Sequence, residues 1–339
     1  MLIGFSQRLL ALLQFTRMAL VFTAISDSTT GYILDRAHSV PAGGSLPASL
    51  RPLELFLVAL ISIGLYGFGM TLNDIIDRRR DSMLAAHRPL PSGRMRLATA
   101  HFICFGLAAL AIGCAFVYGR LVPGGWQSWV MVMFVGALIT SYDFAGKYLV
   151  GPGLLTLGLI RMFHCLIAAP DWPCIWHPLM LFTHVTILSA VAYAWEQKRP
   201  SLTPIHWLGV ATGVVLVDVM SIALLAGRAR PQRLWIQPGL MLLPVLMSLF
   251  LATAVCIRYR TGSLREAGQR LMLAGLLWLI LYDAAIVLTY AGWACALAIL
   301  GLLPLSYLMV LMMRWWSRLL AITQPPEYKR VRSDPQDIA

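Results

Sequence analysis

The sequence predicts an all-α fold, a polytopic membrane bundle of nine or ten transmembrane helices. Three observations carry this: an apolar excess that water could not solvate, apolar stretches of bilayer length, and basic residues gathered on alternate loops. Of 339 residues, 59% are hydrophobic and 12% are charged, whereas a soluble domain carries roughly 25% charged residues. A core of this size cannot hide so much apolar surface, so lipid must cover the excess.

A span needs about 17–25 mainly apolar residues. Ten stretches qualify, at about 9–34, 52–72, 97–118, 127–143, 150–169, 177–194, 206–226, 238–257, 271–290 and 293–313. The last two touch at Ala291-Gly292-Trp293, which leaves nine or ten as the count. With no water in the bilayer core, every backbone donor needs an internal partner, so the spans are expected to be helices.

Lys and Arg set the orientation. With ten spans and a cytoplasmic N-terminus, nineteen of the 27 basic residues fall inside, six outside, and Arg17 and Arg161 within spans. The Arg228, Arg230 and Arg233 cluster fits this placement poorly. The net charge of +12 is therefore mostly topology. The basic residues lie on separate loops without interleaved aromatics, so anionic lipid headgroups explain them better than nucleic acid. The chain is expected to be an inner-membrane, multi-pass protein, with residues 1–320 as one transmembrane domain and 321–339 as a polar cytoplasmic tail. The first stretch is long and lacks a small-residue cleavage site before the next charges, so it is expected to stay as a helix. A second flexible segment is expected in the outer loop near residues 37–49.

The six cysteines show no C-x-x-C pairing and point to neither a disulfide nor a metal site. His101, His164 and His184 lie on apolar faces without ligand spacing and are expected to be satisfied core or interface histidines. Trp126, Trp129, Trp172, Trp176, Trp315 and Trp316 sit near span ends and suit interfacial anchoring.

The most informative stretch follows the second span: Asn73-Asp74-Ile75-Ile76-Asp77-Arg78-Arg79-Arg80-Asp81. Asp74, Asp77 and Asp81 stand at i, i+3 and i+7, which places all three on one face if the helix continues, with Asn73 bordering it. Converging carboxylates repel unless a cation joins them, and hard oxygen ligands suit Mg²⁺. Spacing alone leaves a second reading open, a solvated loop whose acids offset the neighbouring arginines. Ionisable residues inside spans are functional candidates by default, and Asp27, Arg161, Asp218 and Asp283 qualify. Arg161 could reach a bound diphosphate or pair with Asp27. Asp218 and Asp283 suit interhelical hydrogen bonding.

The chain continues as His87-Arg88-Pro89-Leu90-Pro91-Ser92-Gly93-Arg94. The two segments together resemble the first aspartate-rich motif of the UbiA family of intramembrane prenyltransferases, N-D-x-x-D-x-x-x-D followed by R-P-L-P-S-G. Ser141-Tyr142-Asp143-Phe144-Ala145-Gly146-Lys147 looks like that family's Y-x-x-x-K element, with the lysine five residues after the tyrosine. Gly151-Pro152 with Gly158-Leu159-Ile160-Arg161, and Phe22-Thr23-Ala24 with Asp27 and Gly31, resemble patterns of one subgroup. Two departures stand out. Leu20 occupies the place where many members have an Asn three residues after an Arg, here Arg17. The second motif, D-x-x-x-D after the sixth helix, is replaced by Trp195-Glu196-Gln197-Lys198-Arg199-Pro200.

The resemblance implies a UbiA-like bundle whose aspartate loops cap its cytoplasmic mouth. It implies transfer of an isoprenyl group from an isoprenyl diphosphate to an aromatic or other lipophilic acceptor. Asp74, Asp77 and Asp81 would hold Mg²⁺, and Lys147 would act with them in catalysis. Asn73, Arg88, Tyr142, Arg161, Glu196 and Lys198 would bind the diphosphate. Glu196 would survive from a degenerate second motif and face the first across the mouth. A non-catalytic protein that binds or moves a lipid-like or polar precursor is the alternative.

Overall fold

The structure is a computed structural model, and it describes residues 2–39, 49–86, 88–123, 125–227 and 237–322. Among these there are helices and no strands. Residues 40–48 of the expected outer loop, the Arg228–Arg233 cluster and residues 323–339 of the expected tail lie outside them.

Every one of the ten apolar stretches is helical. In chain order the α-helices are α1 (Leu2–Phe15), α2 (Val21–Ser39), α3 (Pro52–Ile76), α4 (Arg78–Leu84), α5 (Leu97–Leu121), α6 (Trp126–Phe144), α7 (Val150–Cys165), α8 (Trp176–Trp195), α9 (Pro204–Gly227), α10 (Leu242–Arg260), α11 (Leu264–Ala291), α12 (Trp293–Leu300) and α13 (Leu302–Ile322). Short 3-10 turns at Met18–Leu20, Gly146–Tyr148 and Pro238–Met241 lead into α2, α7 and α10.

The expected count of nine or ten spans is too high for the described residues. Seven are long and apolar enough to cross a bilayer, or eight if the bent pair at the N-terminus is one span. Two of the ten stretches fall short for physical reasons. α7 has 16 residues, which at about 1.5 Å per residue is short of a hydrocarbon core. α6 carries polar residues at both ends, Gln127 and Ser128 at one and Tyr142 and Asp143 at the other. The first stretch is also not one straight rod. It breaks at Thr16-Arg17 and turns by 53°, with Arg17 in the left-handed region at φ 49. The chain is thus a multi-pass integral membrane protein.

Burial follows from this. Tyr32, Ile61, Ala111, Tyr118, Val135 and Val287 are core residues with almost no exposure. Large apolar side chains stand exposed on the outer faces, such as Phe102 on α5, Leu208 on α9, Leu251 on α10 and Leu308 on α13. Bare in water, such surface would be an aggregation hazard; in a bilayer it meets lipid. The Trp residues do not behave uniformly. Trp126 and Trp315 are exposed, whereas Trp172 and Trp176 pack against the core between α7 and α8.

Between helices in lipid, association depends on close packing rather than on expulsion of water. Gly64 on α3 lies against α5, where a Cβ would come within 2.7 Å of the Leu107 carbonyl and 2.8 Å of the Ala111 Cβ. Gly158 on α7 packs as closely against Phe182 and Thr186 of α8. One end of the bundle is closed by an ionic knot. Glu54, buried, accepts from Tyr32 Oη at 2.8 Å and from Arg36 at 2.6 Å, with Arg51 at 3.4 Å.

Buried charges inside the bundle are paired, as the cost of isolating them in lipid demands. Arg161 binds Asp27 at 2.5 Å and Thr23 at 2.9 Å, joining α7 to α2. Asp283 on α11 accepts from Ser26 at 2.5 Å and lies 2.8 Å from His177 Nε2. Asp218 accepts from Thr183 at 3.1 Å, linking α9 and α8. His101 and His184 reach the carbonyls of Leu97 and Gly275. His164 departs from expectation: it is buried, and neither ring nitrogen has a partner among the described residues. The six cysteines are free thiols.

Gly64→Val is expected to wedge α3 from α5 and lower stability by about 1–3 kcal/mol. A melting temperature of the detergent-solubilised variant equal to that of the wild type would contradict this packing.

Candidate functional site

The opposite end of the bundle from Glu54 carries the aspartate-rich segment. The apolar run of α3 holds the chain helical as far as Ile76, and Asp77 then sits in a turn at φ −78, ψ 0 before α4 begins. Backbone hydrogen bonds continue through this joint, from Asp77 N to the Asn73 carbonyl and from Asp81 N to the Asp77 carbonyl. The i, i+3, i+7 placement therefore survives a bend. Asp74, Asp77 and Asp81 are buried, at 4%, 7% and 5% exposure, so the solvated-loop reading does not describe them.

Each carboxylate is answered by a basic side chain from another part of the chain. Arg17, at the α1–α2 break, reaches Asp74 at 3.1 Å. Arg88, in the turn after α4, places one guanidinium nitrogen 2.5 Å from Asp81 and 3.4 Å from Asp74. Lys147, in the 3-10 turn before α7, lies 2.8 Å from Asp77 and 3.5 Å from Asn73 Oδ1. Tyr142, half-buried one turn earlier, is within the field of Asp143, Asp77, Arg80 and Arg17. Asn73, Asp74, Asp77, Asp81, Arg88, Tyr142 and Lys147 are thus brought together.

Three expected members stand apart. Arg161 is committed to Asp27 and Thr23. It communicates with the cluster only through Tyr66, whose hydroxyl donates to the Arg17 carbonyl at 3.4 Å and whose ring lies in the field of both arginines. Glu196 follows α8 and pairs with its own neighbour Lys198 at 3.0 Å, its stem against Gly268 of α11. Glu196 has no ion pair with the basic residues of the cluster among the described residues.

The donor set fits a hard divalent cation in one respect. Asp74 and Asp81 lie near enough to share a single guanidinium nitrogen, so a positive charge already sits between them. No three His, Cys, Asp or Glu side chains among the described residues are arranged to enclose a metal. Mg²⁺ ordinarily takes one or two carboxylates and fills its shell with water and phosphate oxygens.

Two residues of this cluster escape sequence reasoning. Arg17 looks like a stray charge in a straight span, because nothing at Thr16-Arg17 resembles a helix breaker. Asp143 belongs to the Tyr142–Lys147 element, but its burial at 2% exposure beside Lys147, Asp77 and Asp74 depends on how α6 meets α3. A lone charge in an apolar run was the available signal for both.

Residues 41–170 match the family model of the UbiA prenyltransferase family, so the resemblance seen in the motif holds over the segment from the loop before α3 to the end of α7. No curated protein sequence matches the chain. Among solved structures, a digeranylgeranylglyceryl phosphate synthase is 18% identical over 84% of this chain and 98% of its own, with a TM-score of 0.57. A UbiA homologue from Aeropyrum pernix K1 is 17% identical over 79% and 97%, with a TM-score of 0.53. A UbiA homologue from Archaeoglobus fulgidus, bound to DMAPP and Mg²⁺, is 14% identical over 83% and 99%, with a TM-score of 0.52. At these identities the likeness is one of fold.

The Lys147–Asp77 pair is shielded on both sides, with side-chain exposures of 8% and 9%. Lys147→Met should therefore cost roughly 3 kcal/mol by stranding a buried carboxylate. The double variant Lys147→Met/Asp77→Asn should recover most of it. A double-mutant cycle on thermal unfolding in detergent measures this, and an unchanged single variant would refute the pairing.

Proposed function

We propose that this UbiA-like membrane protein is a prenyltransferase that moves an isoprenyl group from an isoprenyl diphosphate to a lipophilic acceptor within the bilayer. The observation that carries the reading is the cluster itself: three buried carboxylates, each balanced by a basic side chain, at one end of an apolar bundle, inside the segment that matches the family. Buried acids and bases at one end of an apolar bundle suit a ligand with a diphosphate head and a hydrocarbon tail.

Asp74, Asp77 and Asp81 would hold Mg²⁺, which when bound neutralises negative charge gathering on the leaving diphosphate. The carbon–oxygen bond at C1 breaks with its electron pair going to the diphosphate, and an acceptor nucleophile bonds to C1 and gives up a proton. Arg88 and Lys147 are bound to carboxylates that a metal would also seek. Displaced, they would place fixed positive charge on the phosphate oxygens where charge develops. Asn73 and Tyr142 would orient the head group, and apolar helix faces would keep water from the allylic cation. Arg161 stays with Asp27 and holds α2 to α7. The loops at this end would face the cytoplasm by the distribution of Lys and Arg, in an inner membrane, with residues 1–320 as one transmembrane domain and the tail on the same side.

One observation favours a second reading, binding without transfer. Glu196 is alone in its loop and its charge is spent on Lys198, so the usual second group of acids is missing.

Purified protein with Mg²⁺ and a panel of isoprenyl diphosphates decides between them. Diphosphate release dependent on an added lipophilic acceptor is expected. Asp74→Asn should reduce it by about two orders of magnitude or more, and Glu196→Gln by much less. Tight binding of the diphosphates with no release under any acceptor would favour the second reading.

A further inference from the structure

Asp143 is a buried carboxylate beside the cluster that has no use in the mechanism above. It stands in the last turn of α6, four residues before Lys147, and is 2% exposed. Its Oδ1 is buried and has no hydrogen-bond partner among the described residues. An acceptor-only oxygen left without a donor in a water-poor site is costly. The charges that act on it most are, in order, Lys147, Asp77, Arg17 and Asp74. Two of those are bases and two are carboxylates, so the surrounding charges largely offset and the uncompensated cost is burial of Oδ1 without a donor.

The geometry around it has a counterpart across the site. Arg88 lies between Asp74 and Asp81, within 3.4 Å and 2.5 Å. Lys147 is 2.8 Å from Asp77 and is the foremost charge felt by Asp143. Each basic side chain therefore serves two carboxylates, and the cluster contains two positions that favour positive charge rather than one. The second position is incomplete, because Asp143 still carries a free oxygen.

We propose that Asp143 and Asp77 form a second divalent-cation site, completed by the oxygens of a bound diphosphate, and that Asp143 supplies the acid missing from the loop after α8. The inference rests on the reading of the cluster as a metal–diphosphate site. Two carboxylates per ion suffice when phosphate and water complete an octahedral shell. Glu196 is then dispensable for metal binding, since its charge is balanced locally by Lys198.

Full-length protein in nanodiscs is titrated with Mn²⁺ in the presence of inorganic pyrophosphate, and bound Mn²⁺ per chain is counted by electron paramagnetic resonance against a protein-free pyrophosphate blank. Two ions are expected for the wild type and for Glu196→Gln. One is expected for Asp143→Asn, and one for Asp143→Ser, a second neutral variant. Both substitutions are no larger than aspartate and remove a buried charge whose Oδ1 has no donor, so both variants should remain monodisperse. Two ions in either Asp143 variant, or one in Glu196→Gln, overturns the proposal. A single ion in the wild type overturns it while leaving the Asp74–Asp81 site in place. No bound ion in the wild type overturns it together with the metal–diphosphate reading.

Discussion

The aspartate end of this protein depends on one constraint: a carboxylate buried in an apolar bundle is costly without a positive partner. Asp74, Asp77 and Asp81 are held in place by Arg17, Arg88 and Lys147, and those three bases come from three separate elements. The ion pairs thus do for this end what close glycine packing does for the middle of the bundle. They fix the α1–α2 break, the turn after α4 and the turn before α7 relative to the end of α3. In the proposed function, Arg88 and Lys147 would give up these carboxylates to a metal-bound head group.

The two ends of the bundle use similar chemistry differently. At the Glu54 end, one acid accepts from Tyr32, Arg36 and Arg51, so both of its oxygens are engaged. At the aspartate end, acids outnumber the bases committed to them, and one oxygen of Asp143 is unspent. Saturation reads as structure, and deficit reads as a place where something binds. Within the bundle, Arg161–Asp27 ties α2 to α7, and Asp283 is shared by His177 and Ser26.

The class of fold was legible because lipid imposes a coarse rule, and all ten apolar stretches are helices. Their number as spans was overestimated because apolar content does not report length or polar ends, as α6 and α7 show. The motif from Asn73 to Asp81, with Arg88 and Lys147, was legible from spacing and resemblance, and the structure brings those residues together. The basic partner Arg17 was not, since its position depends on a helix break that no proline or glycine announces. Asp143 was hidden for the opposite reason: it lies in plain view in a recognised element, and only the approach of α6 to α3 gives it charged neighbours. Glu196 was expected to face Asp77, and the structure shows its carboxylate paired with Lys198 two residues on.

The break at Arg17 also bears on the order in which the protein can be built. α1 is clasped by α13 through Gln14 to Ser317 at 2.9 Å and Ser6 to Trp316 at 2.8 Å, and Ser306 donates to the Ala19 carbonyl at 2.9 Å. Each of these contacts joins residues roughly three hundred positions apart. The ribosome therefore delivers Asp74 and its acidic neighbours to the membrane early, while the segment carrying Arg17 waits for the last described helix before it is fully clothed. Until α13 is made, the α1–α2 break that positions Arg17 lacks those contacts.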